Sequence, residues 1–200
     1  MNSYDTTIPL CDDPDGDCVM AHRARFGLPT DTSTVVLANF NSHSKIDALV
    51  FHVWMAVMRQ TSGTVLWLAA PREAAVEARL RSEALASGVA PDRLFFAPPW
   101  SHHEHLSRYQ AVDVFLDTHW YTAHSTASDA LWGAAPLLTC PSASFQGRVA
   151  ASLLEWVRAP WLVVASLKVS FRRLHRWRCV ALGSLQVCGA CWVTPDFPGV

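Results

Sequence analysis

The chain has 200 residues, of which 50% are hydrophobic and 16% are charged, and its formal net charge is -1. This length suits one domain with a substantial core, and the near-neutral charge gives no electrostatic reason to expect nucleic acid or a membrane surface as a partner. No stretch approaches the roughly 20 apolar residues that span a bilayer, and the first residues lack the basic and apolar regions of a secretory signal.

The charge divides the chain into three segments. Residues 1–33 hold six acidic and two basic side chains, whereas residues 155–200 hold six basic and two acidic ones. We therefore predict an acidic, irregular segment at 1–21, a folded domain at 22–154, and an atypical basic tail with Trp and Cys at 155–200. The tail has no clean hydrophobic period and is assigned no structure; the alternative is a single strand at 161–171.

The middle segment alternates strands and helices in chain order. The predicted strands are residues 34–40, 64–69, 94–97, 112–117 and 136–140. The predicted helices are residues 48–60, 72–87, a short one within 102–110, Ser125 to about Trp132, and one near 147–154. Asp47 is expected to cap the first of these helices and Gly88 to end the second. The alternation predicts an α/β fold, a parallel sheet with helices on its faces, and a core containing Trp54, Trp67 and Trp132.

Polar residues directly follow several of the predicted strands. They are Asn41, Ser42, Lys45, Thr118 and His124. Ligands of parallel sheets gather at the carboxyl ends of the strands, where these residues would meet. A lysine near the start of a helix is unfavourable unless an anion is present, and residues 124–126 combine side-chain donors with the free N–H groups of a helix start. The pattern therefore predicts an anion site.

Each of these residues also has an ordinary structural interpretation. Lys45 would serve equally as a solvated loop lysine, and Ser125 or Thr126 as a helix cap. Asp129, one turn into the same helix, either accepts hydrogen bonds from a ribose or only favours the helix N-terminus. Its position alone favours the second interpretation.

Two other clusters suggest metal or redox chemistry only weakly. His102, His103 and His105 lack the spacing of a zinc-binding HExxH motif and have no cysteine nearby, so zinc is disfavoured. The pair Cys188 and Cys191 forms a CxxC without the strand–turn–helix context of a redox site. The six cysteines are too sparse for a disulfide scaffold, so reduced thiols and an intracellular protein are expected.

Six separated motifs resemble those of a known family. They are RARFGLPTDTSTVVLANF (23–40), FNSHSKID (40–47), RLFFAPP (93–99), HEHLSRYQAVDVFLDT (103–118), HSTASDALWGAAPLLT (124–139) and GRVAASLL (147–154). In this order they resemble the catalytic C-terminal lobe of the O-linked N-acetylglucosamine transferases and of their SPINDLY relatives. The resemblance implies a Rossmann-like lobe of a GT-B glycosyltransferase, cytoplasmic or nuclear, that transfers N-acetylglucosamine from UDP-N-acetylglucosamine to Ser or Thr of proteins.

The resemblance also assigns roles to individual residues. It places Lys45 against the diphosphate, where it would stabilise the leaving group, and the start of the helix at His124, Ser125 and Thr126 around the phosphates. It places Asp129 against the ribose and His105 against the base. The remaining donor-binding positions are Asn41, Ser42 and His102. No metal or other cofactor is implied, because fixed donors and a cation supply the positive charge.

The sequence departs from the family at four of its positions. Ser42 replaces a glutamine, His102 replaces a lysine, and Thr122-Ala123 replaces Asn-Gly before His124. These changes affect donor affinity and base preference more than the fold, because a serine is shorter and a histidine is a pH-dependent cation.

The chain shows only part of what the family would require. No 34-residue period of tetratricopeptide repeats is visible, and the partner lobe that completes a GT-B cleft is not recognisable in it. The tail at 155–200 stands where the family has its closing segment, so the chain resembles a fragment. Three alternatives stay open: a SPINDLY-like fucosyltransferase using GDP-fucose, an inactive nucleotide-sugar-binding fragment, and a zinc protein using the histidine cluster.

Overall fold

The computed structural model describes residues 10–11 and 16–168, and within them a five-stranded sheet forms the centre of the fold. The strands are β1 (Val35–Asn39), β2 (Thr64–Ala69), β3 (Leu94–Ala97), β4 (Val114–Leu116) and β5 (Leu137–Leu138). Their order is β3-β2-β1-β4-β5, and every neighbouring pair is parallel. The α/β fold with a parallel sheet is therefore confirmed.

Six α-helices and four short 3-10 turns connect and cover the described strands. The helices are α1 (Asp17–Arg25), α2 (Ala48–Gln60), α3 (Ala74–Ala86), α4 (His102–Ser107), α5 (Ser125–Trp132) and α6 (Val149–Trp156). The 3-10 turns are His43–Lys45, Pro91–Arg93, Arg108–Ala111 and Pro160–Leu162. The Asp47 carboxylate accepts a hydrogen bond from the amide of Val50 at 3.0 Å, and Gly88 adopts a φ of +78° after α3. Both predicted helix boundaries are confirmed.

The sheet is buried on both faces because helices cover each of them. Successive residues of β1 alternate between the two core clusters, Val36 belonging to one and Leu37 to the other. Trp67 and Trp54 are buried, as predicted. The prediction for Trp132 is wrong, because this side chain is 41% exposed. Helix α5 buries the face that carries Ala127 and Ala130, and Trp132 lies on the other side of that helix.

Helix α1 overlaps the segment that was predicted to be irregular. Residues 17–21 are helical, in contrast to the irregular structure predicted over 1–21. The helix is held by Arg23, whose buried guanidinium donates to the carbonyl oxygens of Ala111 and Thr34 and pairs with the carboxylate of Asp113. Long-range contacts of this kind are invisible to local composition, which is why the prediction was incomplete.

The predicted reduced state is wrong for one pair of cysteines. Cys11 and Cys18 form a disulfide, with Cα atoms 5.6 Å apart, whereas Cys140 is a free, buried thiol. The chain brings Cys11 back to the first turn of α1, a proximity that spacing alone does not reveal. Cys179 and the CxxC pair Cys188 and Cys191 lie outside the described residues.

The first part of the predicted tail belongs to the folded domain. Ala159, Leu162 and Val164 are almost fully buried, and Val163 forms a parallel bridge with Thr139 beside β5. Residues 159–164 thus have structure where none was assigned, and the bridge lies within the alternative strand at 161–171. The rest of the tail, residues 169–200, lies outside the described residues. None of the helices in the described ranges has the length and apolar character needed to cross a membrane.

Candidate functional site

The carboxyl ends of β1 and β4 bring the predicted polar residues together. The two strands are parallel neighbours, so the residues that follow them leave the sheet at the same edge. The Asn41 amide, after β1, donates to the Thr118 hydroxyl, after β4, at 3.1 Å. Residues 118–123 form the loop from β4 to the start of α5, and we call them the β4–α5 loop. This loop is the centre of the site.

Lys45 is held against the β4–α5 loop. It ends the short turn His43–Lys45, is half-buried, and its Nζ donates to the carbonyl oxygen of Thr122 at 3.1 Å. The same Nζ lies 3.9 Å from the centroid of the Tyr121 ring. Burial lowers the pKa of Lys45, and the negative charge of Asp117 opposes that effect. The lysine is therefore a partly desolvated cation beside the loop that leads to α5.

The start of α5 presents the other half of the predicted anion site. His124 is the N-cap residue, and its Nε2 lies 3.2 Å from the carbonyl oxygen of Gln146. The Ser125 side chain is exposed and that of Thr126 is partly exposed. The first amides of any helix lack partners within the helix, so this end offers N–H donors and the positive end of the helix dipole. A phosphate group is a suitable ligand for such an end.

The residues predicted to bind base and ribose contact each other. The His105 Nε2 lies 3.1 Å from the Asp129 Oδ2, and the Asp129 side chain is largely buried. The His105 ring also meets the rings of Phe40 and Tyr109 edge-on. This pair joins α4 to α5, so the two residues form one unit next to the start of α5. Their roles towards a nucleotide remain predictions.

The other predicted residues have different surroundings. The Asn41 side chain is buried, and its amide also approaches the Asp117 Oδ1 at 3.4 Å, so it holds the loop. The exposed Ser42 hydroxyl pairs with that of Ser44 at 2.9 Å. His102 is exposed on the first turn of α4. Donor contacts by Asn41, Ser42 and His102 remain predictions.

Asp117, directly after β4, is the central residue that the sequence analysis missed. Its carboxylate is buried and accepts hydrogen bonds from the amides of Thr118 at 2.8 Å and Ala123 at 2.7 Å. The Thr139 hydroxyl also donates to it, at 2.7 Å. Burial raises the pKa of Asp117 to about 6, although these hydrogen bonds oppose the rise. The sequence did contain a signal for Asp117, because a carboxylate that ends a buried strand needs hydrogen-bond donors from its surroundings.

No described group of side chains offers a ready metal site at this edge. Within the residues that the structure describes, the one cluster of metal-ligating groups is Cys11, Cys18 and His22, and its two sulfurs are joined in the disulfide. The three histidines at 102, 103 and 105 do not form such a cluster among the described residues. The zinc interpretation thus gains no support from the described geometry.

The described fold matches one lobe of a GT-B glycosyltransferase of known structure. The structure is similar over 75% of this chain to 32% of a mutant O-GlcNAc transferase from Thermobaculum terrenum, with a TM-score of 0.65 and 27% identity. Residues 4–176 match the family described as glycosyl transferase family 41. The chain belongs to this family. The match extends beyond both ends of the segment 22–154 that was predicted as the domain.

Two curated relatives are similar at about one third identity. The Arabidopsis thaliana protein named probable UDP-N-acetylglucosamine–peptide N-acetylglucosaminyltransferase SEC is 36% identical over 131 residues, which are 66% of this chain and 13% of that protein. The Caenorhabditis elegans UDP-N-acetylglucosamine–peptide N-acetylglucosaminyltransferase is 34% identical over 146 residues, which are 72% of this chain and 12% of that protein. The chain thus spans about an eighth of each of these relatives.

Proposed function

We propose that this chain is the donor-binding lobe of a protein O-glycosyltransferase that transfers N-acetylglucosamine from UDP-N-acetylglucosamine to Ser or Thr side chains. The observation that carries the proposal is the convergence of Lys45 and the start of α5 on the β4–α5 loop. The names of the two curated relatives support this donor. A cation beside free helix amides is suited to the diphosphate of a sugar nucleotide.

The proposed chemistry depends on where negative charge develops. As the bond between sugar and diphosphate breaks, charge accumulates on the departing phosphate. Lys45 and the amides at Ser125 and Thr126 would stabilise this charge from fixed positions, which lowers the barrier to transfer. His105 and Asp129, already paired with each other, would hold the base and ribose on the adjacent side.

The same arrangement leads us to propose that no resident metal or cofactor takes part in transfer. Lys45 and the positive end of α5 supply the charge that a metal ion would otherwise provide. We also propose a cytoplasmic or nuclear protein, because the family resemblance implies acceptors in those compartments. The disulfide between Cys11 and Cys18 opposes that location, since disulfides persist mainly in oxidising compartments. A thiol count on protein isolated from cells will test this part of the proposal.

Two other functions remain to be separated from this one. A SPINDLY-like fucosyltransferase would use GDP-fucose, and the residues of the site do not distinguish uracil from guanine. An inactive nucleotide-sugar-binding fragment is favoured by one observation, the small share of its relatives that this chain spans. Transfer by this chain therefore has to be tested both alone and with a partner lobe added in trans.

Nucleotide-dependent stabilisation of the full chain tests the donor site directly. A ligand at about 100 times its dissociation constant adds roughly 2.7 kcal/mol, which corresponds to a rise of about 5–10 °C in melting temperature for a chain of this size. We expect UDP to give this rise and GDP to give less. Lys45→Ala should abolish it, whereas Lys168→Ala should not, because Lys168 is exposed and is the one other lysine of the chain.

The outcomes separate the candidate functions. A larger rise with GDP would favour the fucosyltransferase, and binding without transfer in the presence of a partner lobe would favour the inactive fragment. Cooperative melting without any nucleotide effect would refute the donor site. Adding EDTA should leave the UDP effect unchanged, and loss of the effect would refute the metal-free site.

A further inference from the structure

Asp117 joins three segments of the chain through one buried carboxylate. Its Oδ1 accepts from the amides of Thr118 and Ala123, which lie at the two ends of the β4–α5 loop. Its Oδ2 accepts from the Thr139 hydroxyl, which follows β5, and Asn41 approaches from the end of β1. The two ends of the loop are therefore held together by hydrogen bonds to a single oxygen atom, the Oδ1 of Asp117.

This closure determines the surroundings of Lys45. The carbonyl oxygen that accepts from Lys45 belongs to Thr122, the residue before the amide that Asp117 holds. The ring beneath the Lys45 ammonium belongs to Tyr121, whose carbonyl oxygen accepts from the Thr118 hydroxyl inside the same loop. His124 follows the held amide directly. The carbonyl oxygen and the ring that the Lys45 ammonium contacts thus both belong to the loop that Asp117 closes.

The charges around Asp117 come from the elements on either side of it. Lys45, after β1, is the cation that the Asp117 charge favours. Cys140, after β5, has its thiol pKa raised by burial and, to a smaller extent, by the same carboxylate. His119, in the loop itself, has its Nδ1 2.8 Å from the Cys140 carbonyl oxygen. Asp117 thus favours the charged form of Lys45 and disfavours the charged form of Cys140.

We propose that Asp117 is the positioning residue of the anion site: its carboxylate closes the β4–α5 loop against Lys45, and its negative charge favours the protonated form of that lysine. The part that concerns a nucleotide rests on the proposed function. The part that concerns Lys45 does not, because it follows from the contacts of the protein alone. A carboxylate that only fills a buried polar position would close the loop without affecting the lysine.

The titration of Lys45 separates these two roles. The chain has two lysines, Lys45 and the exposed Lys168, so reductive methylation with a ¹³C label gives two lysine signals and that of the terminal amine in an NMR spectrum. We expect the pKa of Lys45 to be lower in Asp117→Asn than in the wild type, with Lys168 unchanged. Equal values for Lys45 in the two proteins would overturn the proposal.

Asp113→Asn is the matched control. Asp113 is a second carboxylate, half-buried at the other end of the same strand, where it pairs with Arg23 and accepts from the amide of Val36. This variant loses a carboxylate next to the same strand without touching the β4–α5 loop. The Lys45 titration should be unchanged in it, and an equal drop in both variants would show a general structural effect instead.

A second measurement needs no variant and therefore does not depend on Asp117→Asn folding. In the wild type, the Lys45 signal should move as Asp117 titrates near pH 6, while the Lys168 signal should not. A Lys45 signal that is constant through that range would overturn the proposal.

Nucleotide binding then connects the inference to function. If UDP stabilises the wild type, Asp117→Asn should reduce that stabilisation and Asp113→Asn should preserve it. Full stabilisation of Asp117→Asn by UDP would refute the role in the donor site. If UDP does not stabilise the wild type, the proposed function fails, and the lysine titration still decides the role of Asp117.

Discussion

The replacement of Asp117 by Asn should change how the stability of the protein depends on pH. Burial raises the pKa of Asp117 from 3.8 to about 6, so the folded state favours the neutral carboxyl. The stability that this group contributes is then fully present below about pH 4 and is lost as the pH rises through about 6. The rise in pKa corresponds to about 3 kcal/mol. Asn cannot titrate, so its contribution is constant over this range.

Urea denaturation followed by tryptophan fluorescence will measure the effect. The difference in free energy of unfolding between Asp117→Asn and the wild type should move by about 3 kcal/mol in favour of the variant between about pH 3 and pH 8. Hydrogen bonds that the amide fails to reproduce add an offset that does not depend on pH. Because both proteins share all other titrating groups, the difference isolates Asp117. A difference that is constant with pH would refute the reasoning.

Two further predictions concern the supports of the fold. Arg23→Met leaves the Asp113 carboxylate without its partner and should cost about 3–5 kcal/mol of unfolding free energy, whereas the exposed Arg25→Met should cost little. A urea midpoint equal to that of the wild type would contradict this. Gly133→Ala places a Cβ 2.5 Å from the Tyr109 Cβ and should cost about 1–3 kcal/mol through overpacking, which the melting temperature will show; an unchanged melting temperature would contradict the close contact.

The ionised form of Asp117 reduces the stability of the folded protein, and this has a bearing on its role. At neutral pH its buried carboxylate is largely ionised, although the neutral form is the more favourable one for folding. Substitutions that improve stability at functional positions commonly reduce function, and perturbed carboxylates concentrate at such positions. A buried charge that opposes folding and favours the charged form of Lys45 fits this pattern. The proposed role in positioning Lys45 gives a reason for a buried carboxylate that reduces stability, which packing alone does not explain.

Short stretches of sequence were sufficient to predict the strands and several helix ends of the fold. The β-branched and apolar runs predicted all five strands of the described sheet, because such residues suit positions buried on both sides. Asp47 and Gly88 marked helix ends because the cap and the positive φ are properties of single residues. The start of α5 at Ser125 was likewise readable from the residues around it.

The sequence by itself determined the order of strands and helices, the family resemblance and the polar residues that leave the strands. Only the tertiary structure decided which residues meet. These contacts are the pairing of His105 with Asp129, the disulfide of Cys11 with Cys18, and the closure of the β4–α5 loop on Asp117. These contacts join distant segments, and their energies depend on burial and on partners that no local window contains. The polar edge could be placed from the sequence, whereas the donors that meet the Asp117 carboxylate come from separate segments and could not.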